Sequence, residues 1–158
     1  MAGAALLLAS LQANALDLLS TQGSGAAGNC QAALPAYEGQ IRKRPLALAN
    51  EGDAPAFVTC ALTTEEVSIN LQSFRTGVRN LSNEPATVSC TAVVGEDDGN
   101  AAYVVKSIEL APLASGALTW NGGDVGGVFL AKSVALSCTL PPLTALNRNR
   151  ITTLLSLI

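Results

Sequence analysis

The sequence contains no histidine, and this absence removes several kinds of catalytic site. None of its 158 residues can supply the imidazole of a Ser-His-Asp triad, a Cys-His dyad or a His-ligated zinc site. General acid–base catalysis by histidine is excluded for the same reason. Because no other set of side chains forms a recognisable catalytic pattern, we predict a non-enzymatic protein without a cofactor.

Aromatic and charged residues are also scarce. The six aromatic residues make up 4% of the chain, too few for an extended surface that stacks sugar rings. Charged residues make up 13%, and the net charge of −3 argues against electrostatic binding of nucleic acid or of an anionic membrane. The apolar fraction of 49% is ample for the core of one domain.

The first fifteen residues are typical of a secretory signal peptide. An apolar run from Ala2 to Leu11 is followed by Ala13-Asn14-Ala15, which matches an A-x-A cleavage signature. The run is shorter than the roughly 20 apolar residues of a transmembrane helix, so we expect no membrane span. The alternative is an N-terminal core helix. We predict a signal peptide at residues 1–15 and a secreted or periplasmic location.

Small and polar residues from Thr21 to Gly28 are typical of a flexible segment. We therefore predict a flexible leader at residues 16–40 and a β-sandwich domain at residues 41–158. Helix is expected only in the signal peptide and around Leu16–Ser20.

From Pro45 onward, apolar residues alternate with polar residues in short runs separated by Gly, Pro, Asn and Asp. At Ser73 the alternation slips by one residue, which predicts a β-bulge. Runs of this kind at intervals of roughly 10–20 residues predict an all-β protein, an antiparallel β-sandwich of about seven to nine short strands. The later runs are Ala102–Leu110, Gly116–Trp120, Val125–Ala131, Ser133–Leu140 and Arg150–Ile158.

Four cysteines in an exported chain favour two disulfides. Cys60, Cys90 and Cys138 fall on the buried phase of predicted strands, whereas Cys30 lies in the leader. Three connectivities are open, and we favour Cys90–Cys138 together with Cys30–Cys60. A metal or redox site is disfavoured because the chain has neither a C-x-x-C pair nor a histidine.

The cysteine segments resemble those of small exported bacterial proteins of unknown function that contain disulfides and a β-sandwich. The matching segments are Phe57-Val58-Thr59-Cys60, Val88-Ser89-Cys90-Thr91 and Cys138-Thr139-Leu140-Pro141-Pro142, with Ile151 opening the last strand. The resemblance implies a disulfide-stabilised sandwich in the cell envelope or outside the cell, and it implies no catalytic residues.

Two loops contain candidate ligand-binding residues. The acidic segment Glu96-Asp97-Asp98-Gly99-Asn100 offers oxygen ligands for calcium at Glu96, Asp97, Asp98 and Asn100, although a solvated turn is the favoured interpretation and we predict no metal. Trp120 and Asp124 flank a Gly-rich turn, where a tryptophan could stack a sugar ring. The alternative, which we favour, is a tryptophan that covers one end of the core.

Four further sites suggest surface roles. Arg42-Lys43-Arg44, and likewise Arg148 and Arg150, could contact an anionic partner, although solubilising or edge-protecting roles are more common. Asn80-Leu81-Ser82 matches a glycosylation sequon, which we interpret as a surface turn. The apolar tail 151–158 either closes the sandwich or supports self-association by adding a strand to a second copy.

The protein is thus predicted to have a structural or binding role, with a carbohydrate-binding or calcium-binding module and an assembly subunit as alternatives.

Overall fold

The structure, a computed structural model, describes residues 16–62, 70–95, 101–125 and 133–157. Within them, eleven strands form two antiparallel sheets, so the predicted all-β antiparallel sandwich is confirmed with more strands than expected. The strands are β1 (Leu16–Gly25), β2 (Cys30–Ala32), β3 (Ile41–Arg44), β4 (Ala47–Asn50), β5 (Ala56–Leu62), β6 (Asn70–Asn80), β7 (Ala86–Gly95), β8 (Ala101–Leu110), β9 (Ser115–Asn121), β10 (Ser133–Leu140) and β11 (Thr144–Leu157).

The first sheet has the strand order β3-β4-β11-β6-β9, and the second has the order β2-β5-β10-β7-β8. The long strand β11 pairs with β6 along one edge and with β4 and then β1 along the other. A four-residue helix α1 (Ala26–Asn29) and two 3-10 turns, Pro35–Tyr37 and Gly122–Val125, connect strands. The core lies between the inner faces of the two sheets.

Alternation explains the strands from β5 onward. In β5, every second residue from Ala56 to Leu62 is buried, and β10 follows the same pattern. The predicted bulge is present in β6, where Ser73 lies opposite Thr152 and Leu71 lies opposite Thr153, leaving Gln72 as the extra residue. Leu71 and Phe74 can therefore both point into the core, although they are three residues apart.

The structure differs from the prediction of a flexible leader with a helix near Leu16. β1 pairs over ten residues with β11, from Leu16 opposite Leu157 to Gly25 opposite Arg148. From Leu19 to Gly25 no side chain is buried, so this strand carries no apolar alternation that a sequence could reveal. It forms because β11 offers a backbone edge, and such tertiary pairing overrides weak local preference.

Two other predictions concern residues that lie partly or wholly outside the described part of the chain. Val125 lies in a 3-10 turn rather than at the start of a strand, and the remaining residues, 126–131, lie outside the described part of the chain. The predicted signal peptide at residues 1–15 lies outside it as well.

Both disulfides lie within the second sheet, and each joins residues that face each other across two paired strands. Cys30 bonds to Cys60, and Cys90 bonds to Cys138, which is the pairing favoured from the sequence. All four side chains are at most 1% exposed. Closing loops that span 30 and 48 residues stabilises the fold by roughly 3–4 kcal/mol each in the simple chain-entropy model.

Two buried asparagines join the sheets at one end of the sandwich. Asn50 ends β4, and its Nδ2 donates to the carbonyls of Ala54 and Leu140, each at 2.8 Å. Its Oδ1 accepts from the backbone N–H of Gly52 at 3.0 Å. The side chain thereby shapes the connection to β5 and holds the end of β10 in the opposite sheet.

Asn80 repeats this arrangement thirty residues later, at the end of β6. Its Nδ2 donates to the carbonyls of Glu84, Leu110 and Ala111, and its Oδ1 accepts from the N–H of Ser82. The side chain of Asn80 is fully buried whereas Leu81 is exposed, so the sequon lies at a surface turn but its asparagine does not face solvent. Its amide is engaged by the backbone and is not available for modification in the folded protein.

Replacing Asn80 should be strongly destabilising. We expect Asn80→Ala to lower the free energy of unfolding by about 2–3 kcal/mol, because it leaves buried carbonyls without a donor. Chemical denaturation of the oxidised protein measures this loss. The control is Asn83→Ala, at an exposed position in the same connection; equal stabilities of the two variants would contradict the role assigned to Asn80.

Candidate binding surface

Trp120 belongs to the core and not to a sugar-binding surface. Its side chain is 1% exposed, and its ring stacks on Phe74 with a centroid distance of 5.1 Å. The indole Nε1 donates to the carbonyl of Val104 at 2.9 Å, which satisfies its one polar group. No face of the ring is open to a ligand, and the preferred alternative, a tryptophan that covers the core, fits the structure.

Asp124 organises the turn that follows β9. Its Oδ2 accepts from Lys106 Nζ at 2.7 Å and from the N–H of Asn121 at 2.8 Å. The hydrogen bond from Lys106, and then that from Asn121, hold the pKa of Asp124 below its ordinary value. Lys106 Nζ also donates to the carbonyl of Thr119 at 2.8 Å. Both groups of this pair are used within the turn, which gives them a structural role.

The stability that Asp124 contributes should depend on pH. Because folding lowers its pKa, the carboxylate stabilises the fold fully above the ordinary value of 3.8, and this contribution is lost as the pH falls through the folded pKa. We expect Asp124→Asn to lower the Tm at pH 7 and to lower it less at strongly acidic pH. Asp53→Asn, at an exposed site, is the control. A Tm difference that does not change with pH would contradict this assignment.

The calcium candidates Glu96, Asp97, Asp98 and Asn100 lie outside the described residues. Within the described ranges, no three His, Cys, Asp or Glu side chains come together as a metal-binding group.

The outer face of the first sheet concentrates positive charge. It carries six of the nine basic residues of the chain, and we call this surface the arginine face. Strand pairing brings several of these arginines close together. Arg75 of β6 lies directly opposite Arg150 of β11. Arg79 of β6 and Arg42 of β3 lie in one cross-strand row, in which Ala145 and Ala49 stand between them. All six side chains are exposed: Arg42, Arg44, Arg75, Arg79, Arg148 and Arg150.

A second bulge places two of these arginines on the outer face. Asn147 and Arg148 of β11 together lie opposite Gly77 of β6, which adds one residue and shifts the alternation. Leu146 and Asn149, three residues apart, are therefore both buried. Without the extra residue, Arg148 and Arg150 would share the inward phase of Leu146.

Three arginines surround an open pocket of about 190 Å³, which we call the arginine pocket. It is lined by Arg75, Gly77, Arg148 and Arg150. Glycines give the guanidinium groups room, because a Cβ at Gly23 would lie 2.9 Å from Nε and Nη2 of Arg148. The pocket is therefore a cluster of guanidinium groups above a floor without bulky side chains.

The charge of this pocket is not compensated by carboxylates. Among the described residues, ion pairs form only between Arg44 and Glu51 and between Lys106 and Asp124. Arg42 donates to the carbonyls of Glu38 and Ile41. Like charges that face each other across two strands destabilise a sheet, as Arg75 and Arg150 do here.

A larger pocket of about 410 Å³ lies beside β2 and β3. Its lining is mainly small or apolar, and its two charged residues, Glu38 and Lys43, have opposite signs. It therefore shows no comparable preference for one kind of ligand.

Over residues 144–154, the C-terminal strand does not offer the free edge considered for self-association. In this range β11 pairs with β6 on one side and with β4 and β1 on the other. The alternative, that this strand closes the sandwich, fits the structure. Addition of a foreign strand at β11 would first have to displace β1.

Sequence reasoning identified Arg148 and Arg150 but missed Arg75 and Arg79. The spacing Arg75-x-Gly77-x-Arg79 within an alternating run was the available signal, because it predicts that these residues share one strand face. The pairing of β6 with β11, which brings the two sets together, is a long-range contact that local alternation does not reveal.

No protein-family model and no curated protein matches the chain. Several solved structures are similar to the chain at low identity. The mannan-recognising carbohydrate-binding module TmCBM27 is 11% identical, with a TM-score of 0.49 over 87% of this chain and 98% of that one. A family 11 carbohydrate-binding module from Clostridium thermocellum is 8% identical, with a TM-score of 0.45 over 87% and 88% of the two chains.

A disulfide-linked pilus protein of Bacillus endospore appendages is 11% identical, with a TM-score of 0.39 over 96% of this chain and 100% of that one. None of the helices in the described part of the chain has the length and apolar character needed to cross a bilayer.

Proposed function

We propose that this chain is an exported β-sandwich that acts by binding rather than by catalysis, and that it holds an oxyanion of its ligand in the arginine pocket. The observation that carries the proposal is the group of three arginines around Gly77, none of which has a carboxylate partner among the described residues. Sulfate, phosphate and carboxylate groups are the chemistry that this pocket suits.

The geometry of guanidinium groups supports this proposal. Each guanidinium presents planar pairs of N–H donors that match two oxygens of an oxyanion. Without a ligand, Arg75 and Arg150 face each other as like charges. An anion between them would replace that repulsion with charge-assisted hydrogen bonds.

The disulfides support export. Disulfides form and persist in oxidising compartments such as the periplasm and the extracellular space. This chain has two disulfides buried in its second sheet, and its first residues are typical of a signal peptide. We therefore propose that the protein is periplasmic or secreted. The prediction for residues 96–100, a solvated turn rather than a calcium site, does not enter this proposal.

Oxyanion binding should appear as thermal stabilisation. We expect sodium sulfate to raise the Tm above that in sodium chloride at matched ionic strength. At ten times the Kd, a single site stabilises the folded state by about 1.4 kcal/mol, or roughly 3–5 °C at this chain length. Differential scanning fluorimetry measures the shift.

Two single-charge variants separate specific binding from the general stabilising effect of sulfate. Arg75→Ala should lose most of the shift, and its Tm without sulfate should stay equal or rise. Lys43→Ala removes the same charge from the opposite face of β3 and should keep the wild-type shift. Equal sulfate shifts in both variants would refute the proposed pocket.

Self-association is the second candidate function, and β8 is the observation that favours it. This ten-residue strand lies at the edge of the second sheet, with Tyr103 72% and Val105 63% exposed. Among the described residues, Glu109 is the one charged side chain on the outer face of that sheet. Long apolar edge strands favour pairing with a second copy.

Light scattering after size exclusion tests this alternative. We expect a mass that rises with concentration in the wild type and a monomer for Tyr103→Lys. Thr59→Lys, on the outer face of β5 and away from that edge, should behave as the wild type. A wild-type monomer at every concentration would remove self-association from consideration.

A further inference from the structure

We infer that the ligand of the arginine face is an extended acidic polysaccharide that places two or more of its anionic groups on this surface at once. This inference rests on the function proposed above and adds the chemical class of the ligand. The spread of charge beyond the arginine pocket supports it.

The arginine face is larger than one anion can occupy. Arg79 lies four residues from Arg75 on the same face of β6, which is about 13 Å at the usual rise of a strand. Arg42 lies three strands away from Arg79 along a shared row, a further distance of about 14 Å. Neither residue lines the arginine pocket. A single sulfate or phosphate bound there would contact neither of them.

Small residues flank the arginines on both sides, so an extended chain can cross this part of the sheet. On the β1 side, Gly23 lies opposite Arg150 and Gly25 lies opposite Arg148. On the β9 side, Thr119 lies opposite Arg75 and Ala117 lies opposite Gly77. Side chains on either side of the pocket are therefore too small to obstruct a polymer that lies across the outer face.

Hydroxyl groups and the lack of stacking rings favour an acidic sugar. Ser115 lies beside Arg79 and Thr119 beside Arg75, and hydroxyls of this kind pair with sugar hydroxyls. In the described strands of the first sheet, the aromatic residues are Phe74 and Trp120, and both point into the core. Recognition here would depend on charge and hydrogen bonds rather than on stacking against the ring of a neutral sugar.

Two other classes of polyanion fit less well. Single-stranded nucleic acid is bound through basic surfaces that also carry stacking aromatic rings, and the described strands of the first sheet present no such ring on the arginine face. Extended acidic peptides commonly bind by adding a strand to a sheet edge, whereas the arginines lie on a sheet face. The observations therefore favour the polysaccharide.

Isothermal titration calorimetry of the full exported chain tests this inference, with chondroitin sulfate and polygalacturonate as polymers. We expect at least one polymer to bind roughly tenfold or more tightly than its own disaccharide, because additional anionic groups engage additional arginines. Binding should weaken steeply with added salt. Single-stranded DNA and polyglutamate of similar length should bind more weakly than that polymer.

Arg79→Ala separates the inference from the proposed function on which it rests. This variant keeps the arginine pocket, so it should retain the wild-type sulfate shift in Tm while losing roughly fivefold or more in polymer affinity. Lys43→Ala should keep both properties. Unchanged polymer affinity in Arg79→Ala, equal binding of polymer and disaccharide, no binding of either polymer, or tighter binding of DNA or polyglutamate would overturn the inference. Loss of the sulfate shift in Arg75→Ala would still support the pocket in each case.

Discussion

The pairing of β11 with β6 determines which side chains of β11 point into the core and which lie on the outer face of the first sheet. Because two residues, Asn147 and Arg148, lie opposite Gly77, the alternation of β11 changes phase in the middle of the strand. Asn149 then points into the core, where it accepts from Thr76 Oγ1 at 2.7 Å and donates to the sulfur of Cys30 at 3.6 Å. The same shift turns Arg148 and Arg150 outward. One extra residue thus supplies a buried polar contact to a disulfide and completes the charged outer face.

The core compensates for its few aromatic residues through covalent bonds and buried amides. Phe74 and Trp120 form one stacked pair, and aliphatic side chains fill most of the remaining space. The two disulfides bind adjacent strands of the second sheet, while Asn50 and Asn80 hold the two sheets together at one end. These contacts are directional, so they fix a register that packing of small aliphatic residues specifies weakly. A rigid framework of this kind keeps the exposed side chains of both outer faces in fixed rows.

The two outer faces differ strongly in chemistry. One concentrates arginine in an acidic protein, and the other is nearly uncharged across its described residues. Grouping like charges opposes folding, and among the described residues only Arg44 of this group has a carboxylate partner, Glu51. A bound oxyanion would reduce this cost. The nearly uncharged face instead ends at the exposed strand β8.

Local alternation was sufficient to predict the all-β class, the strands from β5 to β10 and the bulge at Ser73, because each of these features follows from which side chains a strand buries. The preferred disulfide pairing and the interior position of Trp120 also agree with the structure. β1 could not be predicted, because its described side chains are not buried and its hydrogen bonds come from a strand more than a hundred residues away. The arginine face could not be predicted for the same reason, because it depends on pairing between distant strands. Arg75 and Arg150 become neighbours only when β6 and β11 pair, and a pairing register between distant strands is fixed by the packed core and not by either segment alone.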